Sequence, residues 1–121
     1  AATGNRIDHS LANLYLPVPL LEKAEKAISF TLIGENWQGY YRLPGEIVLN
    51  GQKGDLLSLL PLSREVSQIT LENTKYLLQE ESLKFGSSRG ISNVFRENIV
   101  KISHKKGVLL VIHYFKEPKM G

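Results

Sequence analysis

The chain has 121 residues, of which 42% are hydrophobic and 22% are charged, a balance typical of one globular domain or of one domain with part of another. It contains no cysteine, which excludes a disulfide framework and a thiolate metal site. No apolar run approaches the roughly 20 residues that span a bilayer, and the N-terminus lacks the pattern of a secretory signal. We therefore expect a cytoplasmic protein with no membrane partner.

The first part of the chain predicts helices followed by a strand. Asp8 can cap a helix that ends before Pro17. A second short helix is predicted over residues 20–27, and a strand over residues 28–32, where apolar and polar residues alternate. Because such a helix and a lone strand cannot bury their apolar faces on each other, we expect residues 1–36 to be the C-terminal remnant of an α/β domain.

Residues 37–121 are predicted to form a separate, mainly β domain. The predicted strands are residues 40–43, 47–49, 55–62, 66–71, 76–78, 83–85, 91–95, 99–103 and 108–115. Two of them, residues 55–62 and 108–115, are almost entirely apolar, which predicts burial on both faces. Many short strands separated by turn residues favour an antiparallel sandwich or barrel.

The net charge of +3 is unevenly distributed. From Lys101 to the end there are five Lys and one Glu, a balance of +4, so the preceding residues sum to −1. Lys101, Lys105 and Lys106 surround one predicted turn, which favours a solvated hairpin tip over a phosphate-binding patch. Nucleic-acid-binding proteins more often interleave basic and aromatic residues along one face. A nucleic-acid-binding barrel is therefore the least favoured interpretation, and no nucleic-acid partner is expected.

Hydrolytic or metal chemistry built on the histidines is disfavoured. The residue types of a catalytic triad are present in Ser10, Ser92, His9, His104, His113, Asp8 and Asp55. However, the chain lacks a Gly-x-Ser-x-Gly elbow, and the three histidines lack the spacing of metal ligands. His113 lies in an apolar strand, where a satisfied core or edge histidine is expected.

Two segments carry residues suited to ligand binding. In residues 1–9, a glycine turn precedes Arg6, Asp8 and His9 at a predicted helix start, where phosphate and Mg²⁺ are readily held. The same residues equally allow a capped helix with a surface ion pair.

The second segment combines Asn73-Thr74-Lys75-Tyr76 with the Gly- and Ser-rich residues 86–93. Tyr76 can stack on a flat heterocycle while Ser92 or Asn93 hydrogen bonds to it. Loops of β domains often have this composition without binding anything, so the residue types alone leave both interpretations open.

Taken together, these segments closely resemble bacterial thiamine pyrophosphokinases. Residues 2–14 are similar to the family motif Gly-x-Arg-x-Asp-His-x-Leu-Ala-Asn. Residues 54–62, Gly-Asp-Leu-Leu-Ser-Leu-Leu-Pro-Leu, resemble the strand that opens the thiamine-binding domain, and residues 66–78 its next segment. Residues 91–93 and 107–112 resemble the two closing signatures. The order and spacing also fit, so the resemblance covers nearly the whole chain.

The resemblance implies a fold and an activity. The fold would be an antiparallel, jelly-roll-like β-sandwich that binds thiamine over residues 37–121, preceded in residues 1–36 by the last helix and strand of an α/β nucleotide-binding domain. The activity would be that of a thiamine diphosphokinase, which moves a pyrophosphoryl group from ATP to thiamine with Mg²⁺ and releases AMP. The family also implies a homodimer with the site between subunits.

The resemblance also assigns residues. Arg6 and Asp8 would be catalytic, with His9 beside them on the phosphate and ATP side and Asp8 as a candidate Mg²⁺ ligand. Tyr76 would lie against the thiamine pyrimidine.

Ser92 and Asn93 would contact thiamine as well. The family turn Gly-Leu-Lys-Trp/Tyr is Asn-Thr-Lys-Tyr here, and Asn73 should preserve it because Asn tolerates positive φ.

The family's upstream carboxylate-rich motifs have no counterpart in these 121 residues. We therefore expect this stretch to be inactive by itself. The alternative interpretation is a non-catalytic β-sandwich module that binds a ligand or a partner chain.

Overall fold

The computed structural model describes residues 30–116, except for the side chain of Phe30. The two predicted helices lie outside these residues. The described part contains nine β-strands: β1 (Phe30–Ile33), β2 (Trp37–Arg42), β3 (Gly45–Asn50), β4 (Leu56–Pro61), β5 (Glu65–Glu72), β6 (Leu78–Lys84), β7 (Asn93–Val94), β8 (Ile99–His104) and β9 (Leu109–Tyr114). Within the same range, no helix has the length and apolarity required to cross a membrane.

The strands form two antiparallel sheets. One sheet has five strands in the order β1-β2-β9-β4-β7, and the other has four in the order β3-β8-β5-β6. Apart from the sequential pairs β1-β2 and β5-β6, successive strands lie in different sheets, so other neighbours within a sheet, such as β2 and β9, are distant in sequence. The predicted antiparallel β-sandwich is confirmed.

The main core fills the space between the sheets. Leu57 and Leu59 of β4 pack beside Leu109 and Val111 of β9, and Ile102 of β8 contributes from the opposite sheet. A second apolar cluster lies on the other face of the five-stranded sheet and contains Tyr41, Leu62, Val108 and Leu110. These two clusters explain why β4 and β9 are apolar at consecutive positions, as the sequence predicted.

The strand predicted over residues 28–32 is present as β1, but its partner was predicted wrongly. Strand β1 pairs with β2 in the sandwich itself, with Phe30 opposite Tyr41 and Ile33 opposite Gln38. It is therefore not a lone strand within this chain. A short turn that follows β1 allows this pairing, because Gly34 N–H donates to the carbonyl of Trp37 over 2.9 Å. The remainder of the predicted two-domain division stays a prediction.

The two short strands predicted over residues 76–78 and 83–85 are instead one strand, β6. The polar residues between them resemble a turn but lie mostly on the exposed side of the sheet edge. The pairing of β6 with β5 contains register shifts, and Glu80 has a φ of 50°. A bulge of this kind adds a residue without ending a strand.

A compact turn joins β8 to β9. Gly107 has a φ of 98°, and a Cβ there would lie 2.4 Å from the carbonyl oxygen of Glu65, so only glycine fits. His104 is buried, and its Nε2–H donates to the carbonyl of Gly107 over 2.9 Å. Burial lowers the pKa of His104, the hydrogen bond to Gly107 opposes this effect, and the charge of Arg42 lowers the pKa further.

This histidine predicts a pH dependence of stability. A folded pKa below the unfolded value means that the unfolded chain binds a proton first as the pH falls through about 6.5. Stability should therefore decrease on acidification, with a slope of at most about 1.4 kcal/mol per pH unit from this one group. Urea unfolding between pH 5 and 8 of the original chain and of His104→Gln, which keeps a donor for Gly107, measures the difference. An identical pH slope in both proteins would contradict the assignment.

Candidate functional site

Two segments distant in sequence are hydrogen-bonded along one end of the sandwich. The turn that follows β5, residues 73–77, runs antiparallel to residues 93–96. Thr74 forms a β-bridge with Phe95, Lys75 N–H donates to the carbonyl of Val94 over 2.9 Å, and Arg96 N–H donates to the carbonyl of Asn73 over 2.9 Å. The turn is therefore fixed at both ends.

The side chain of Asn93 fixes the centre of this turn. Its Oδ1 accepts hydrogen bonds from the backbone N–H groups of Tyr76 and Val94, each over 2.9 Å. Its Nδ2 donates to the carbonyl of Tyr76 over 2.6 Å. The hydroxyl of Thr74 donates to the same carbonyl over 2.9 Å. Both backbone polar groups of Tyr76 are thus satisfied, and Asn93 is only 5% exposed.

Asn73 begins the turn in the left-handed conformation, with a φ of 70°. The expectation that Asn73 preserves a turn in which the family has glycine is confirmed. Its Nδ2 also donates to the carbonyl of Ile99 over 2.9 Å. The side chain therefore supplies a contact to the start of β8 that glycine could not make.

Tyr76 projects from this fixed base into solvent, with 59% of its surface exposed. The ammonium of Lys75 lies 5.3 Å from the centre of the Tyr76 ring, within the range of a cation–π contact. A flat ligand can stack on the other ring face, or it can displace this flexible lysine.

Ser92 lies beside the turn in a strained conformation. It has a φ of 60°, which is unfavourable for a residue with a Cβ. Its N–H donates to the hydroxyl of buried Ser58 over 3.0 Å, which holds the backbone in place. Ser92 itself is exposed, and its hydroxyl has no hydrogen-bond partner among residues 30–116. The hydroxyl is therefore available to a ligand.

The loop that leads to Ser92 is also anchored. The guanidinium of Arg89 forms an ion pair with the carboxylate of Glu81 on β6. Gly90 accepts a hydrogen bond from Leu59 N–H through its carbonyl over 2.8 Å, which attaches the loop to β4. A Cβ at Gly90 would lie 2.7 Å from the carbonyl oxygen of Leu59, so a side chain would push the loop away.

The structure thus brings together Tyr76, Ser92 and Asn93, the three residues predicted to face thiamine. Tyr76 and Ser92 present exposed groups. Asn93 differs, because its amide is buried and bound to the backbone of Tyr76. This geometry gives Asn93 the task of positioning Tyr76.

A cleft of about 350 Å³ lies directly against the turn and is lined by Asn73, Thr74, Lys75, Leu77, Arg96 and Glu97. A larger cavity of about 640 Å³ lies at the opposite end of β5. Its lining includes Arg64 and Lys84, together with Lys106 from the predicted hairpin tip. None of Tyr76, Ser92 and Asn93 borders that larger cavity.

The predicted phosphate-side residues, Arg6, Asp8 and His9, lie outside the described residues. Between residues 30 and 116, no group of three or more His, Asp or Glu side chains is placed to hold a metal ion. Asp55 is the only aspartate in that range, and its carboxylate is already occupied by three hydrogen bonds. The Asp55 carboxylate is therefore not free to bind a metal ion.

The buried pair of Asp55 and His113 was missed by sequence reasoning. Their side chains meet at 2.7 Å although the residues are 58 positions apart. His113 was correctly expected to be a satisfied core or edge histidine, but neither residue belongs to a spaced motif that reveals its partner. A triad through Ser92 is not formed, because the Ser92 hydroxyl bonds to no described histidine.

Comparison with known proteins agrees with this geometry. Residues 46–109, more than half of the chain, match the family described as thiamin pyrophosphokinase, vitamin B1 binding domain. The chain belongs to this family. The thiamine pyrophosphokinase of Bacillus subtilis is 30% identical over 111 residues, which is 91% of this chain and 50% of that protein.

Solved structures of the family have the same fold. The crystal structure of thiamine pyrophosphokinase from Bacillus subtilis has a TM-score of 0.79 and 29% identity, over 96% of this chain and 54% of that one. The thiamin pyrophosphokinase family protein from Enterococcus faecalis has a TM-score of 0.75 and 31% identity, over 96% and 54%. This chain spans about half the length of these relatives.

Proposed function

We propose that this chain is the thiamine-binding part of a thiamine diphosphokinase, which converts ATP and thiamine to AMP and thiamine diphosphate. In this reaction the thiamine hydroxyl oxygen bonds to the β-phosphorus of ATP. The bond from that phosphorus to the oxygen bridging the α-phosphate breaks, AMP leaves, and the hydroxyl proton is released. The β domain supplies binding and orientation, which for phosphoryl transfer are a large share of catalysis.

The observation that carries the proposal is the exposed ring of Tyr76, held by the amide of Asn93 in a chain of this family. An aromatic ring on a fixed backbone can stack on the pyrimidine of thiamine with little loss of conformational entropy. The free hydroxyl of Ser92 can hydrogen bond to the pyrimidine of thiamine. Asn93 would not contact thiamine itself but would position Tyr76.

The phosphate side of the site is proposed for Arg6, Asp8 and His9. Arg6 can hold phosphate oxygens bidentately. Asp8 is the proposed Mg²⁺ ligand, and the metal would neutralise charge on the transferring group when bound. Since the described β domain offers no metal site, this stretch is proposed to be inactive without the rest of a nucleotide-binding domain.

We also propose a cytoplasmic homodimer with the site between subunits. An apolar row crosses the outer face of the five-stranded sheet, with Trp37 opposite Tyr114, Tyr114 opposite Leu56, and Leu56 opposite Val94. Tyr114 and Leu56 are exposed. An apolar row of this kind favours contact with a second chain. Val94 adjoins Asn93, so such a contact would bring a partner subunit next to the ligand-facing turn.

The proposed activity is tested with the complete polypeptide that carries this sequence. Calorimetric titration should detect thiamine binding, and AMP should form from ATP only when thiamine is present. Thiamine monophosphate should yield no AMP, because its hydroxyl is already esterified. Binding without AMP formation would favour the non-catalytic module, and the absence of both would overturn the proposal.

A further inference from the structure

The most deeply buried ionisable side chains in the described β domain are Asp55 and His113, a pair outside the ligand face. Asp55 and His113 are each only 1% exposed, and Nε2 of His113 lies 2.7 Å from Oδ2 of Asp55. The same oxygen accepts a hydrogen bond from Gln52 N–H over 2.9 Å, and Oδ1 accepts one from Lys116 N–H over 2.7 Å. All of these partners are donors, as an ionised carboxylate requires.

The environment of Asp55 keeps it ionised. Burial raises its pKa, but the hydrogen bond from His113 and those from Lys116 and Gln52 lower it more, and the net pKa is below the ordinary value. Because an ionised carboxylate can only accept, Nε2 of His113 must carry the proton. The pair therefore has one defined hydrogen-bonding arrangement.

Both members of the pair hold Phe95. The backbone carbonyl of Asp55 accepts from Phe95 N–H over 2.8 Å, and Gly54 N–H donates to the carbonyl of Phe95 over 2.9 Å. The His113 ring stacks on the Phe95 ring with centres 4.6 Å apart and an angle of 18° between planes. Phe95 is thus fixed by the backbone of one residue and the ring of the other.

Phe95 in turn holds the ligand-facing turn. It forms the β-bridge with Thr74, and hydrogen bonds on either side join Val94 to Lys75 and Arg96 to Asn73. A continuous series of contacts therefore runs from the buried pair through Phe95 and its neighbours to Asn73, Thr74 and Lys75, the residues that lead into Tyr76.

A buried carboxylate and its hydrogen-bonded partner are a weak source of net stability, because desolvation offsets much of the attraction. Its defined geometry can instead select one arrangement of the groups around it. We propose that Asp55 and His113 are positioning residues that fix the turn carrying Tyr76, and that they thereby set the affinity for the ligand of this face. The identity of that ligand as thiamine rests on the proposed function, whereas the effect on the turn does not.

The effect on the turn is tested by amide hydrogen exchange in Asp55→Asn without ligand. Asparagine keeps the shape but presents an N–H group in place of one of the two accepting oxygens, so at least one of the three hydrogen bonds is lost. The amides of Lys75, Tyr76 and Arg96 should exchange at least about tenfold faster, a change that corresponds to about 1.4 kcal/mol. Amides in β8, such as that of Ile102, report on the rest of the fold and should change less.

Val66→Ala is the matched control. Val66 is fully buried at the opposite end of β5, so its truncation weakens the whole fold without touching the pair. In this variant the three turn amides should be accelerated no more than the β8 amides. If Asp55→Asn does not fold, Phe95→Leu removes the stacking on His113 while keeping an apolar side chain, and the same three amides should respond.

The effect on the ligand is tested in the complete polypeptide. Asp55→Asn should raise the KM for thiamine about tenfold and leave the KM for ATP unchanged, whereas Val66→Ala should change neither. Equal acceleration of the turn amides and the β8 amides would overturn the proposal, since the pair would then be only structural. Selective acceleration with an unchanged KM for thiamine would overturn the link to affinity. Exchange is measured without ligand, so its outcome does not depend on whether thiamine is the substrate.

Discussion

Replacing Asn93 with alanine is expected to lower the free energy of unfolding by about 2–3 kcal/mol. The substitution removes both hydrogen bonds that Oδ1 accepts and the one that Nδ2 donates. The carbonyl of Tyr76 keeps its bond from Thr74, but the N–H groups of Tyr76 and Val94 lose their partner. An unsatisfied buried donor costs about 1–3 kcal/mol, and partial access of water should limit the total. Urea unfolding followed by circular dichroism gives the difference.

Asn93→Asp separates this explanation from a general loss of packing. Aspartate keeps an acceptor for both N–H groups but places a second carboxylate oxygen against the carbonyl of Tyr76, so it should not restore full stability. Asn50→Ala is the matched control, because Asn50 is exposed on an edge strand, and it should change stability by less than about 0.5 kcal/mol. Equal effects at positions 50 and 93 would refute the role of Asn93 in holding the turn.

Replacing Tyr76 with alanine is expected to have the largest effect on the proposed reaction, with little effect on the fold. Stacking of an aromatic side chain on a heterocyclic base is worth about 1–3 kcal/mol, so the KM for thiamine should rise about 5- to 150-fold. The KM for ATP should not change, and because the ring is exposed, stability should stay within about 0.5 kcal/mol. Steady-state kinetics of AMP formation by the complete polypeptide provides the measurement.

Other substitutions test whether loss of the Tyr76 ring causes the rise in the KM for thiamine. Tyr76→Phe keeps the stacking surface and should remain close to the original, and Tyr76→Trp should bind at least as well. Phe85→Ala removes another aromatic of similar exposure, 56% against 59%, at the far end of β6, and should leave the KM for thiamine unchanged. A large effect of Tyr76→Phe would point to the hydroxyl and contradict stacking.

The strands of the β domain were largely predictable from the sequence because their signals are local. Strands β4 and β9 were predicted from continuous apolar runs, and burial on both faces was confirmed for most of their length, although Leu56 and Tyr114 at one end are exposed. The errors were also local in origin. Strand β6 contains a polar stretch that resembles a turn, but its bulged pairing with β5 keeps it in the sheet.

The partners of the strands were not predictable in the same way. The strand of residues 28–32 was assigned to another domain because its alternation of apolar and polar residues does not identify the strand that it pairs with. In the fold it pairs with the next strand. Pairing in this sandwich depends on which apolar faces meet after collapse. Strands β2 and β9 pair in the sheet although strands β3 to β8 separate them in the sequence.

The candidate site also combines features that short sequence segments predict and features that depend on long-range contacts. Turn residues, an exposed aromatic and the family motifs were sufficient to select Tyr76, Ser92 and Asn93, since these signals lie in short segments. The tertiary structure alone decided that Asn93 points inward to hold Tyr76 and that Asp55 meets His113 across 58 positions. The sequence by itself thus determined the family and the sandwich, and it selected the residues of the proposed ligand face. Side-chain hydrogen bonds between distant strands have no period or spacing in the chain, and only the folded core brings their donors and acceptors within reach.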